Sequence, residues 1–176
     1  MAVHVAVAEP TDAGTLAAVA ARTFPLACPP TSTAEDIAAF IDTHLSAVRF
    51  GEYLADPDRV VLAAYDAGRI LGYCMLIRGV PDDADVQRAV TTRPSVELSK
   101  MYVLPDNHGA GVSAALMQAA LAHAAAMAAR SIWLGVNQHN LRAQRFYAKH
   151  DFMINGTKTF HLGDAVENDF VMVRLI

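Results

Sequence analysis

Apolar positions recur with two different periods along this chain, and each period marks an element. Residues 3–8, VHVAVA, alternate and are rich in valine, which predicts a strand. A helix follows, with Thr11 as its cap and DAGTLAAVAARTF (12–24) as its body, and PLACPP (25–30) breaks it. Thr31 or Ser32 opens a second helix, TSTAEDIAAFIDTHL, with Glu35 in its first turn. A short helical piece, AVRFGEYLA, stops at Asp56-Pro57. Two apolar runs, RVVLAAYD and RILGYCMLIRG, flank Asp66-Ala67-Gly68 and predict a hairpin. Residues 80–94 show no apolar period and read as an exposed loop. Beyond them come a strand (95–105), a long Ala-rich helix (110–129), a strand (131–137) and a short helix (140–151). Two closing strands, 152–162 and 169–176, surround a GDAVEN turn. The order β, α, α, β, β, β, α, β, α, β, β predicts a mixed sheet with helices on its faces, an α/β or α+β layered domain.

Composition narrows the reading modestly. A chain of 176 residues, 53% hydrophobic, can bury a sizeable core as one domain spanning 1–176. Its formal net charge of −4 argues against a nucleic-acid surface, which needs a basic stripe. Two cysteines, Cys28 and Cys74, give no disulfide framework and fit reduced thiols in a cytoplasmic protein. The opening MAVHVAVAEP lacks a basic start, so no secretory leader is expected. The longest apolar stretch, 114–129, carries Gln118 and His123 and is too short to span a bilayer.

The chemistry concentrates at LPDNHGAGVSAALMQAAL (104–121). A strand ends, a polar loop with two glycines follows, and a helix begins. Amides at a helix start have no intrahelical partner and carry the positive end of the dipole. Glycines let an anion approach that backbone closely. His108, Gly109, Ala110, Gly111, Val112 and Ser113 therefore offer successive donors to a pyrophosphate. A P-loop is excluded, because no lysine precedes Ser113. The dinucleotide fingerprint needs three glycines near the first strand, and only two occur, late in the chain. A tight strand–helix turn with no ligand fits this loop alone equally well.

The segment NQHNLRAQRFYAKHDF (137–152) changes that balance. Its Asn140, Ala143, Phe146 and Tyr147 resemble the Asn-x-x-Ala-x-x-Phe-Tyr segment of the GCN5-related N-acetyltransferases. That family also carries an Arg/Gln-x-x-Gly-x-Gly/Ala loop some thirty residues earlier, and His108 to Ser113 stand there in this chain. The match in order and spacing covers roughly residues 95–155. The N-terminal half and the tail are more loosely similar to the small-amine and polyamine branch. The resemblance implies the family fold: a mixed sheet splayed between its two middle strands, with helices on both faces.

It further implies acetyl coenzyme A as cosubstrate and no metal. The pantetheine arm would pair with the strand backbone at Met101, Tyr102 and Val103, and the pyrophosphate would lie on residues 108–113. Asn140, Ala143 and Phe146 would flank the arm; Asn140 fits equally as the N-cap of its helix. The implied reaction is direct attack of a neutral primary amine on a thioester, with a small amine or a peptide N-terminus as acceptor. The amine must lose a proton, and Glu97 on the central strand is the candidate base, ahead of His44 and Glu52. A backbone N–H near Val103 would serve the oxyanion. Tyr147 matches the family's general acid. Neither cysteine has a base nearby in sequence, which disfavours an acyl-enzyme.

His108 and Ser113 depart from the family pattern. A charged histidine would add attraction for the pyrophosphate, so cofactor affinity is expected to weaken as pH rises from about 6 to about 8. The alternative reading is a coenzyme-A-binding sensor without turnover, which would need neither Tyr147 nor a base. No membrane partner is expected, and a homodimer is compatible with the family.

Overall fold

The computed structural model describes all 176 residues. In chain order the elements are β1 (His4–Val7), α1 (Ala13–Ala27), α2 (Ala34–His44), α3 (Ala47–Ala55), β2 (Arg59–Asp66), β3 (Arg69–Arg78), α4 (Ala84–Ala89) and β4 (Ser95–Val103). Then follow α5 (Val112–Ala126), β5 (Ser131–Asn137), α6 (Leu141–Lys149), β6 (Met153–Leu162) and β7 (Ala165–Leu175). All seven strands join one mixed sheet in the order β1-β2-β3-β4-β5-β7-β6. Only the β4–β5 pair is parallel. The expected layered α/β architecture is what the chain forms.

Both faces of the sheet are covered, which is why β2 and β3 read as continuous apolar runs. Their side chains still alternate. Val61, Ala63, Tyr73 and Met75 pack with Leu16, Ala20 and Phe24 of α1 and Phe50 of α3. Leu62, Ala64, Cys74 and Leu76 pack on the other face with Leu116, Met117, Ala120 and Ala124 of α5. The β2–β3 turn uses Ala67 and Gly68 at φ 48° and 79°, the left-handed pair that a two-residue hairpin requires.

Four local expectations are corrected. Residues 80–94 contain α4, capped by Asp83 Oδ1, which accepts from the amides of Asp85 (2.9 Å) and Val86 (3.2 Å). Its Val86 and Ala89, with Val90, bury against Trp133 and Val171. Pro25 does not break α1 but sits in its last turn. The carbonyl it leaves unpaired, four residues back, belongs to Ala21, which is exposed. The caps also differ. Thr33, not Thr31 or Ser32, accepts from the Asp36 amide at 3.1 Å; at α1 the N-cap is Asp12 rather than Thr11, and its side chain makes no bond to the helix it precedes but accepts from the Glu9 amide before it at 2.9 Å. Finally, the last turn is only Gly163-Asp164, because β7 already pairs at Ala165 with Leu162.

The feature that makes a site is a fork. Strands β4 and β5 pair from Ser95↔Ser131 to Glu97↔Trp133 and then part. Buried hydroxyls pin the closed end: Ser131 Oγ lies 2.6 Å from the Thr92 carbonyl and 2.8 Å from Ser95 Oγ. Beyond it, β4 carries one extra residue against β3, since Met75 faces Lys100 and Leu76 faces Leu98. This bulge at Ser99 bends the strand away from β5.

Close approach of β3 to β4 holds that bend. A Cβ on Gly72 would meet the Tyr102 carbonyl at 2.7 Å and Val103 Cα at 3.1 Å, both backbone. Gly72→Ala is therefore expected to cost about 1–3 kcal/mol. Thermal unfolding should report a midpoint several degrees lower. An unchanged midpoint would show that β4 yields freely here.

Candidate active site

The open end of the fork leads into a groove of about 670 Å³. On one side stands β4. The Leu104 amide donates to the Leu71 carbonyl at 2.8 Å. Antiparallel strands alternate bonded and non-bonded pairs. Tyr102 therefore bonds toward β3, while Met101 and Val103 aim their amides and carbonyls into the fork. The strand edge is thus unpaired by any other strand at the point where the sequence reading placed the pantetheine arm, with the Val103 carbonyl alone taken up, by the His108 side chain.

The groove continues to the start of α5. Gly109 and Gly111 both take φ +79°, and nothing lies within 4 Å of where a Cβ would stand. Only glycine adopts this backbone cheaply, and the missing Cβ leaves the peptide face open. The amides of Gly109, Gly111, Val112, Ser113 and Ala114 donate to no backbone carbonyl. Five unspent donors at a helix N-terminus form a seat for an anion. Ser113 lines the groove, but Ala110 does not. The Val112 side chain is buried under α5, so that residue offers its amide alone.

His108 also lines the groove, with Nε2 at 2.8 Å from the Val103 carbonyl. A carbonyl only accepts, so Nε2 carries the hydrogen. In the neutral ring Nδ1 then has no proton to offer. Only the imidazolium can hold Val103 and donate toward the loop as well.

Helix α6 supplies the far wall. Asn140 Oδ1 accepts from the Ala143 amide at 3.1 Å, so this asparagine is the N-cap and faces the groove at the same time. Ala143, Phe146 and Tyr147 line the groove. The Tyr147 ring sits 5.5 Å from Phe146 and 5.9 Å from Phe152. Burial, with a smaller effect of Cys74, pushes its phenol up to about 12. It is a neutral donor at any physiological pH. Arg142, Arg145 and Lys149 add a cationic edge that the sequence reading missed, although their i, i+3, i+7 spacing marks one helix face.

A second, smaller cavity of about 230 Å³ opens on the α1–α2 side of the sheet. Glu97 lines it, at the last paired position before the fork. Burial raises the pKa of Glu97, opposed by Lys100, Lys158 and Arg59. Lys100, Lys158 and Asp169 line the same cavity. Burial lowers the Lys100 ammonium to about 8, with Glu97 opposing the shift and Arg59 adding to it. Sequence reasoning missed these three. Lys158 and Asp169 are cross-strand partners, and register is not visible in an unpaired sequence. The other candidate bases lie elsewhere: Glu52 pairs with Arg49 at 2.8 Å, and His44 packs on Phe40 at 4.6 Å, neither lining the cavity.

The two cavities meet. Ala27, Ser99, Lys100, Tyr102 and Gly135 line both. Cys28 borders the smaller one, but its thiol donates to the Phe24 carbonyl at 3.3 Å and burial pushes it up to about 11. Cys74 is buried and pushed up to about 12. Neither thiol is a nucleophile at neutral pH. No group of three or more His, Cys, Asp or Glu side chains is placed to hold a metal, and no helix is long and apolar enough to cross a membrane.

Known proteins share both the sequence and the fold. An uncharacterized N-acetyltransferase of Mycobacterium tuberculosis is 60% identical over 164 residues, covering 93% of this chain and 97% of that protein. An uncharacterized N-acetyltransferase of Lactobacillus delbrueckii subsp. lactis is 25% identical over 142 residues, covering 81% and 79%. In fold, the chain is similar to the PaiA N-acetyltransferase of Thermoplasma acidophilum, solved in complex with coenzyme A, at a TM-score of 0.79 and 18% identity over all of both chains. It is similar also to Arabidopsis thaliana NAA60, solved with acetyl-CoA, at a TM-score of 0.76 and 14% identity over 99% of each. The sequence model of the acetyltransferase (GNAT) family matches residues 22–152. The chain belongs to the acetyltransferase (GNAT) family.

Proposed function

We propose that the protein transfers an acetyl group from acetyl-CoA to a primary amine by direct attack in a ternary complex. The observation that carries this reading is the junction of two cavities at the β4–β5 fork, with Tyr147 in one and Glu97 in the other. A donor held in the groove and an acceptor held in the smaller cavity meet without either leaving its seat. Such positioning removes much of the entropic barrier of a two-substrate reaction.

The groove suits coenzyme A in shape and donor chemistry. The free β4 edge at Met101 would pair the amide-bearing arm. The unspent amides of Gly109, Gly111, Val112, Ser113 and Ala114 would hold the pyrophosphate, and the cationic edge of α6 would face its anionic end. Bound there, the donor supplies a thioester carbonyl at the fork. Glu97 takes the proton that the ammonium must lose. The Val103 amide donates to the charge that develops on the thioester oxygen. Tyr147 donates its phenol hydrogen toward the departing sulfur. As the N–C bond forms and the C–S bond breaks, the nitrogen gives up its second proton to the departing thiolate, leaving the amide and the free thiol.

His108 would close the loop end of this seat, its ring tied to β4 by the contact of Nε2 with the Val103 carbonyl at 2.8 Å. His108→Ala is expected to weaken coenzyme A binding several-fold in a calorimetric titration. Unchanged affinity would remove the role.

The function itself is tested by thiol release from acetyl-CoA in the presence of amines. The expected result is amine-dependent release with an acetylated amine as product. Tight coenzyme A binding with no turnover of any amine would instead support a cofactor sensor.

A further inference from the structure

The smaller cavity carries information about the acceptor beyond its amine. We propose that the acceptor is a free amino acid with an apolar side chain, its carboxylate held by Lys100, its amine facing Glu97 and its side chain against the phenylalanine wall. This deepens the proposed acetyl transfer and rests on it.

The charges lead to this first. Two carboxylates and two ammonium groups line the cavity, so its formal charge balances. A polyamine would bring several positive charges against two lysines, which the pocket opposes. Lys158 and Asp169 satisfy each other, at 3.8 Å across the β6–β7 ladder. That leaves Glu97 and Lys100. The Lys100 ammonium has Ser99 Oγ at 3.3 Å and the Tyr53 ring centre at 5.7 Å, and it forms no ion pair with a carboxylate of the chain. Glu97 forms none either. Charges held out of water are costly unless they are paired. A ligand with one amine and one carboxylate complements both groups at once.

The strand geometry makes the pair usable. Residues 97 and 100 are three apart, and in a regular strand they would point to opposite faces. The extra residue at Ser99 restores the phase, so both side chains reach the same cavity. The bulge that opens the fork therefore also sets an acid and a base side by side on its floor. Burial leaves the Lys100 ammonium titrating at about 8, so it is mostly charged at neutral pH.

The wall and the size set the rest of the ligand. Phe24 and Phe40 stack at 4.5 Å and 8°, and Phe160 tilts against Phe40 at 5.7 Å. With Leu45 and Leu162 they give the same cavity an apolar wall, with the Lys158 ammonium 6.0 Å from the Phe160 ring centre. The volume of about 230 Å³ is below the roughly 300 Å³ where drug-sized sites begin, which favours a single amino acid over a longer chain.

The test compares phenylalanine and leucine with their amides and with phenethylamine, by thiol release at saturating acetyl-CoA. Each amide keeps the amine and side chain and loses the carboxylate. Its amine is also less basic, so chemistry alone favours it. The expected result is a kcat/KM for the acids at least roughly tenfold above that for the amides, the factor one charge-assisted contact supplies. Lys100→Met should abolish this preference by lowering kcat/KM for the acids more than for the amides, so that the ratio of the two falls to within about threefold of one. Lys100→Arg, which keeps the charge, should retain the preference. Amides or phenethylamine used as well as the acids would overturn the inference and leave amine acetylation standing. So would a preference that survives in Lys100→Met. No amine turned over, with coenzyme A binding intact, would overturn the proposed function and this inference with it.

Discussion

Glu97→Gln is expected to lower kcat/KM for the acceptor by about 10²–10⁴-fold at pH 7, the usual contribution of a positioned base. The substitution keeps size and polarity and removes the negative charge, and with it the ability to take a proton. Glu97 lines the smaller cavity but not the groove, so coenzyme A affinity should be unchanged, and this separates lost chemistry from lost binding. The pH profile carries the sharper content. Burial raises the Glu97 pKa, and Lys100, Lys158 and Arg59 only partly offset it. A base must be ionised to act, so wild-type activity should fall as pH drops through that raised value. The acid limb should lie above the ordinary glutamate value of about 4.3. In Glu97→Gln the limb should vanish, and the rate should climb with pH as the free amine loses its own proton to water. Activity within twofold of wild type at pH 7 would remove Glu97 from the mechanism.

What the sequence made legible, and what it hid, follows one physical division. The β4 strand, the glycine loop, α5 and α6 were readable because each is specified locally. Gly109 and Gly111 announce positive φ, and Asn140 announces a cap. The spacing of Ala143, Phe146 and Tyr147 fixes one face of α6. Helix α4 was overlooked although Val86, Ala89 and Val90 already show the i, i+3, i+4 spacing and Asp83 the cap. Six residues are too few for the period to stand out against the acidic positions around them. The smaller cavity was hidden for a different reason. Lys158 and Asp169 become neighbours only through the β6–β7 register, and Lys100 joins Glu97 only through the bulge. Both are long-range consequences of pairing. A strict alternation of two would place Lys100 on the face opposite Glu97.

Tyr147→Phe is expected to lower kcat by about 10²–10³-fold, roughly 2.7–4 kcal/mol of transition-state stabilisation, with little change in affinity for acetyl-CoA. The ring remains, so its packing on Phe146 and Phe152 survives and only the hydroxyl is lost. The acidity of that hydroxyl decides its role. At about 12 it is a much weaker acid than an ordinary thiol at about 8.5, so full proton transfer to a departing thiolate is uphill. A hydrogen bond to the sulfur as its charge develops is not, and it acts in a partly dry groove where such a bond is strong. The phenol also stays protonated throughout the range of any practical assay. Its loss should therefore scale the pH profile down uniformly from about pH 6 to about pH 9.5 without moving either limb. An alkaline limb present in wild type and absent from Tyr147→Phe would mean that the phenol itself titrates during turnover. The donor role would then have to pass to an ionising tyrosinate or to another group.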